Sequence, residues 1–156
     1  MMRRLDCYSR RDCRGVAALE VAIALPVLLF LMMATVEIGR LLAQYDALTK
    51  SVRGAARYLA SNALLGTTGV VNISPAVQSA TVNLAVTGNV TGTGGALLPG
   101  LVPGNITVSN QGAGYVAVSA TYTYQPLLGA TLPNFGNGAP RAFGIALNAT
   151  VVMRAL

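Results

Sequence analysis

Few residues in this chain could do chemistry, and they crowd toward one end. There is no histidine, and the two cysteines, Cys7 and Cys13, lie in the first fourteen residues. The five acidic residues are Asp6, Asp12, Glu20, Glu37 and Asp46, and none follows. General acid–base chemistry draws on such groups, and C-x5-C is not a zinc spacing. The expectation is therefore no enzyme, no metal and no cofactor. What remains is Glu20, five residues past Gly15 and inside an apolar stretch. A charge at the centre of a membrane span costs about 2.5–3.5 kcal/mol on insertion scales, so such residues are usually paired and functional. A charge near the end of a span can instead snorkel to the headgroups. A cut after Gly15 would place a new α-ammonium on Val16, about one helical turn from Glu20, and a neighbouring subunit's Glu20 could lie closer after an axial shift.

The element that must position these groups is the run from Val16 to Val36. Its only interruptions are Glu20, Pro26 and Thr35. A helix needs about 20 mostly apolar residues to cross a bilayer, and Leu25 and Val27 to Met33 leave no polar face. Before it stand Arg3, Arg4, Arg10, Arg11 and Arg14, which favour a cytoplasmic amino end; Arg40, Lys50, Arg53 and Arg57 follow and weaken that bias. A secretory signal peptide is the rival. Against it, Glu20 breaks the apolar core, the helical pattern continues past the span, and no small-x-small cleavage site follows. The formal charge of +6 invites a nucleic-acid reading. The basic residues sit around the span, however, with only Arg141 and Arg154 beyond Arg57, and aromatics are not interleaved with them. With 53% apolar and 10% charged residues, the chain is far less charged than the quarter or so usual in soluble proteins.

Several blocks carry a resemblance. Gly15 followed by Glu20 looks like a prepilin peptidase site, with glycine at −1 and glutamate at +5. Gly15-Val-Ala-Ala-Leu-Glu-Val, Ala24-Leu-Pro-Val-Leu-Leu, Glu37-Ile-Gly-Arg-Leu-Leu, Tyr45-Asp-Ala-Leu-Thr and Val52-Arg-Gly-Ala-Ala-Arg-Tyr follow one another. Together they resemble the TadE-like minor pilins (pseudopilins) of the tight adherence, or Flp-type, pilus. The resemblance covers Arg14 to about Ala60. Val21 stands where processed members often carry Phe or Tyr. It implies processing between Gly15 and Val16 and a role for Glu20 in recognition and assembly. The partners it implies are a prepilin peptidase, other pilins and minor pilins, the inner-membrane pilus platform and membrane lipid.

Past Val36 the helical period persists in Ile38, Leu41, Leu42, Tyr45, Leu48, Val52, Ala55, Ala56 and Leu59. Lys50, Arg53 and Arg57 fall on another face. One nearly continuous helix from about Gly15 to Ser61 is expected, loosened at Pro26. Gly39 and Gly54 permit close helix packing. Glu37 and Arg40, one turn apart, are expected to pair where the helix leaves the membrane. The chain thus divides into a cytoplasmic leader over 1–15, a transmembrane and amphipathic helix over 16–61, and a periplasmic α+β domain over 62–156.

In that last part, Leu64 to Val70 reads as a connecting loop. Ser74-Pro75 reads as an N-cap with proline at the first helical position, opening a short helix to about Val86. The alternation in Thr81 to Val86 makes a strand the competitor. Thr87 to Gly104 reads as a loop rich in glycine and proline. Strands are expected at Asn105–Ser109, Tyr115–Tyr124 and Ala142–Met153, the last with Phe143, Ile145, Leu147, Ala149 and Val151 on one face. Turn signals fill Pro126 to Pro140. The fold class is α+β: a long amino-terminal helix carrying a small antiparallel sheet on its amphipathic half. The sequons at Asn72, Asn89, Asn105 and Asn148 are chance matches in a chain rich in Asn, Ser and Thr, and Gly92-Thr93-Gly94-Gly95 lacks the lysine of a phosphate-binding loop. Two functions compete with the enzyme reading already set aside. One is a processed minor pilin supporting pilus assembly or initiation. The other is an unprocessed inner-membrane protein whose periplasmic part binds or scaffolds a partner.

Overall fold

The first helix, α1, runs without a break from Arg10 to Asn62. It starts five residues before the expected Gly15, because a single interior glycine costs only about 1 kcal/mol relative to alanine and need not end a long helix. Pro26 lies inside it and offers no amide to the carbonyl one turn back. The Thr35 hydroxyl donates to the Leu31 and Met32 carbonyls, both at 2.8 Å, so it needs no partner outside the helix. The computed structural model describes residues 10–64, 70–127, 131–132, 141–142 and 144–156. The chain divides into two units, Met1–Gly39 and Arg40–Leu156, and α1 runs through both.

In the second unit one face of α1 is buried at helical spacing: Leu48, Val52, Ala55, Ala56, Leu59 and Ala60, with Ala63 just past its end. These join Val116, Val118, Ala120, Tyr122, Tyr124, Leu147 and Ala149 in one apolar core. The sheet has three antiparallel strands, β1 (Ile106–Gly112), β2 (Tyr115–Thr123) and β5 (Ala146–Arg154), with β2 in the middle. A two-residue hairpin, β3 (Thr131–Leu132) with β4 (Arg141–Ala142), stands apart from it. The expected strand over Ala142–Met153 is thus divided, with the long strand starting at Ala146. Leu147 and Ala149 are buried as their alternation requires, but Ile145 precedes the strand and is exposed. Phe143 lies outside the described residues, as do 65–69 of the expected connecting loop and most of Pro126 to Pro140. Leu64 and Val71 pair across that first loop.

The β1–β2 turn explains its sequence. Ala113 and Gly114 have φ of 49° and 81°, and positive φ at both central residues is the turn whose twist matches a hairpin. A bulge between Asn110 and Gly112 absorbs one residue before it.

The second helix, α2, spans Pro75–Thr87. The helix wins over the competing strand because both of its ends are fixed. The Val77 amide donates to Ser74 Oγ at 3.3 Å, Pro75 fills a position that needs no donor, and Gly88 takes the left-handed conformation at φ 75° to close the helix. Ser74→Ala should lower the stability of this unit by about 1 kcal/mol, read as a shift of the urea midpoint. An unchanged midpoint would mean that the cap contributes nothing.

The stretch from Thr87 to Gly104 is irregular, as expected, but it is tied down. Leu97 donates to the Val86 carbonyl at 2.8 Å, and Leu98 and Leu101 enter the core. The chain end is tied too. The Leu156 amide donates to the Ala60 carbonyl at 2.9 Å, one of the last carbonyls of α1 that would otherwise lack a helical partner.

Candidate functional site

Eleven large apolar side chains between Leu19 and Met33 are exposed, from Leu19 at 65% to Met33 at 47%. Each would gain about 1.5–3 kcal/mol by leaving water. An 18-residue window of this helix has a mean hydropathy of 2.4, and only 6% of it is buried. That share is unlike the core helix of a soluble domain, which passes the same length test while being mostly buried. The long apolar helix fits a single-pass membrane anchor.

Glu20 is exposed on this surface and has no ion pair among the described residues. Gly15 and Val16 are both helical in backbone, so the bond between them lies within α1 rather than in an extended segment. Glu20 is four positions after Val16, which sets them about 6 Å apart along the axis. Pro26 sits within the same apolar surface. An added Cβ at Gly39 would meet nothing within 4 Å, and the same holds at Gly54. Neither glycine is used for packing within the chain. Glu37 is buried, at 8% exposure, and is not without a partner.

The second unit begins with a buried polar cluster that sequence reading found only in part. Arg40 was legible as a candidate. Gln44, one turn on, is buried, and Tyr122 reaches it from β2. The Tyr122 hydroxyl lies 2.9 Å from the Pro99 carbonyl and 3.2 Å from Gln44 Oε1, so one proton is shared between two acceptors. Burial raises the Tyr122 pKa above its usual 10.0, and the nearby Arg40 charge offsets part of that rise. Arg40 Nη1 is buried and lacks a hydrogen-bond partner among the described residues. The only sequence signals for this cluster were a glutamine on the buried face of an amphipathic helix and a tyrosine at an inward position of β2. Through the Tyr122 hydroxyl, the cluster ties the Gln44 side chain of α1 and the Pro99 carbonyl of the loop before β1 to the central strand. No group of three or more His, Cys, Asp or Glu that could hold a metal ion gathers among the described residues.

On the exposed face of α1, Lys50 meets Asp46 in an ion pair at 2.6 Å. With both side chains more than half exposed, it contributes little to stability.

Residues 15–57 match the family model of TadE-like proteins. No curated protein and no solved structure matches the chain. The match starts at Gly15, covers the apolar span and ends at Arg57, so it takes in the blocks read from the sequence except Tyr58 at the end of the last. TadE-like proteins are associated with the tight adherence pilus and are not an enzyme family.

Proposed function

We propose that this chain, TadE-like over residues 15–57, is a minor pilin that supports assembly or initiation of a tight adherence pilus after prepilin peptidase removes residues 1–15. The observation that carries this reading is Gly15 and Glu20 at the head of the family match, on a helix whose apolar surface the chain leaves unburied. Such a surface needs lipid before assembly and can be covered by other pilin helices after it. The leader arginines hold the amino end in the cytoplasm and place residues 58–156 in the periplasm, anchored in the inner membrane. Glu37, Gly39 and Arg40 mark the exit from the bilayer. The partners are the peptidase, other pilins and minor pilins, and the inner-membrane platform.

Amino-terminal sequencing of the membrane-extracted protein tests this directly. A mature chain starting at Val16 is expected. Gly15→Leu should leave a heavier, membrane-bound precursor, because the residue before the cut must be small and Leu also strengthens the helix there. Equal mobility of wild type and variant in cells with active peptidase would overturn processing. The protein would then be an uncut periplasmic scaffold or binding protein.

A further inference from the structure

The exposed face of α1 beyond the apolar run carries a single ridge. Leu42, Asp46, Lys50, Arg53 and Arg57 follow at steps of four, four, three and four residues, and all are exposed. Steps of three and four set residues one above another on a helix. Leu42 is 59% exposed although it is apolar. Asp46 is taken by Lys50. That leaves Arg53 and Arg57 with no ion pair among the described residues, four residues apart, with Lys50 three residues before Arg53.

Such a face finds no stabilising acid on its own helix. Solvated basic faces are stabilised by acids three or four residues away, and like charges at those spacings are destabilising. The positions three and four residues from Arg53 and Arg57 hold no acid. Nor does the helix dipole account for the arginines. Its effect is confined to the last turn, and the last turn of α1 holds no basic residue.

We propose that this ridge docks an acidic helix of a different chain, and so makes a heterotypic contact. A second copy is a poor occupant. Its acids are Asp6 and Asp12 in the leader, Glu20 in the span, Glu37, which is buried and engaged, and Asp46, which is already paired. Two copies side by side would set arginine against arginine. An anionic lipid surface is the weaker occupant for a helix that leaves the bilayer near Arg40 and stands upright. Arg53 and Arg57 lie about 20 and 26 Å along the helix from Arg40 at 1.5 Å per residue, and charges are screened over about 8 Å at physiological salt. A helix with acids three or four residues apart matches the arginine spacing. Gly54, with open space where a side chain would be, lets its backbone come close. Leu42 supplies an apolar contact at the membrane-facing end. The pilus reading enters only in naming the source of that helix: another pilin-like subunit.

The test uses the full chain in neutral phosphatidylcholine nanodiscs. The probe is a labelled amphipathic helical peptide with glutamates three and four residues apart on one face. Its glutamine counterpart and a lysine version serve as controls. The glutamate peptide should bind and the glutamine peptide should not. Arg53→Gln with Arg57→Gln should weaken binding about fivefold, the effect of losing two exposed pairs. Arg53→Glu with Arg57→Glu should bind the lysine peptide instead. The glutamate peptide should also protect Arg53 and Arg57 from phenylglyoxal. Thermal unfolding of the variants, expected to be unchanged or improved, separates loss of the face from loss of the fold.

Equal binding by wild type and the glutamine double variant would overturn the proposal. Protection of the two arginines by phosphatidylglycerol nanodiscs alone would overturn it in favour of lipid. Self-association in detergent that the double variant abolishes would overturn it in favour of a second copy. Processing at Gly15 is read separately: binding without processing removes the pilus reading and leaves the docking face, and processing without binding does the reverse.

Discussion

Cells carrying Glu20→Gln should insert the protein normally and process it at least in part, yet make pili at close to the level of a strain lacking the protein. The substitution keeps size and shape and removes one charge. Processing as proposed would create an α-ammonium on Val16, about 6 Å along the axis from Glu20 of the same chain, so that a neighbour shifted by that much would bring its Glu20 level with it. In the proposed assembled state a neighbour's carboxylate and this ammonium would each remove the other's cost of sitting in a low-dielectric layer. A charge at the centre of a span costs about 2.5–3.5 kcal/mol; Glu20 is the fifth residue of the span, so that figure is an upper bound, at most about a hundredfold in association. The pairing also selects one axial register, because a shift of one turn moves the partner by 5.4 Å. Glutamine loses both effects. Counting pili and crosslinking the variant to its pilin partners are the measurements. Wild-type piliation together with wild-type crosslinking would reduce Glu20 to an interfacial charge or a peptidase recognition element. A precursor that is not cut at all would place its role before assembly.

The parts of this fold that were legible in the sequence are those set by short-range patterns. The span follows from length and apolarity alone, since no polar group between Pro26 and Thr35 offers another way to solvate the helix. α2 was legible because Ser74, Pro75 and Gly88 each solve a local backbone problem. The close competitor, a strand over Thr81–Val86, rested on alternation. It fails because Thr81 turns its hydroxyl to the Val77 carbonyl at 2.7 Å and so occupies a buried position without an unpaired polar atom. The strand limits were less legible. Nothing in Ala142–Met153 signals that Arg141–Ala142 pairs with Thr131–Leu132 while pairing with β2 begins at Ala146, because that choice is made by partners distant in sequence. The same holds for the polar cluster. Gln44 and Tyr122 are 78 positions apart, and neither is unusual in its own neighbourhood. Only the fold makes them a pair.

That cluster carries the second large effect. Tyr122→Ala should remove the cooperative unfolding of the second unit, or move it below room temperature. Tyr122 is 1% exposed, and truncating a buried aromatic residue to alanine costs about 3–5 kcal/mol. The Pro99 carbonyl and Gln44 would also lose the hydroxyl they share, and a stranded buried polar group costs about 1–3 kcal/mol. Small domains are stable by about 5–15 kcal/mol in total. Tyr122→Phe separates the two contributions, since it keeps the ring and loses only the hydroxyl, and it should cost the smaller amount. The two variants also differ from wild type in how stability responds to alkali. Burial holds the hydroxyl pKa above 10.0, with Arg40 offsetting part of the rise. The unfolded chain therefore ionises first. The contribution is fully present below about pH 10 and falls as pH rises beyond it. Urea titrations followed by circular dichroism, run at neutral pH and at points above pH 10, should show wild type losing stability more steeply than Tyr122→Phe. Parallel alkaline slopes would mean that the Tyr122 hydroxyl is reached by water in the folded protein. Equal midpoints for all three proteins at neutral pH would mean that the contacts of Tyr122 with Pro99 and Gln44 do not hold the loop, the central strand and α1 together.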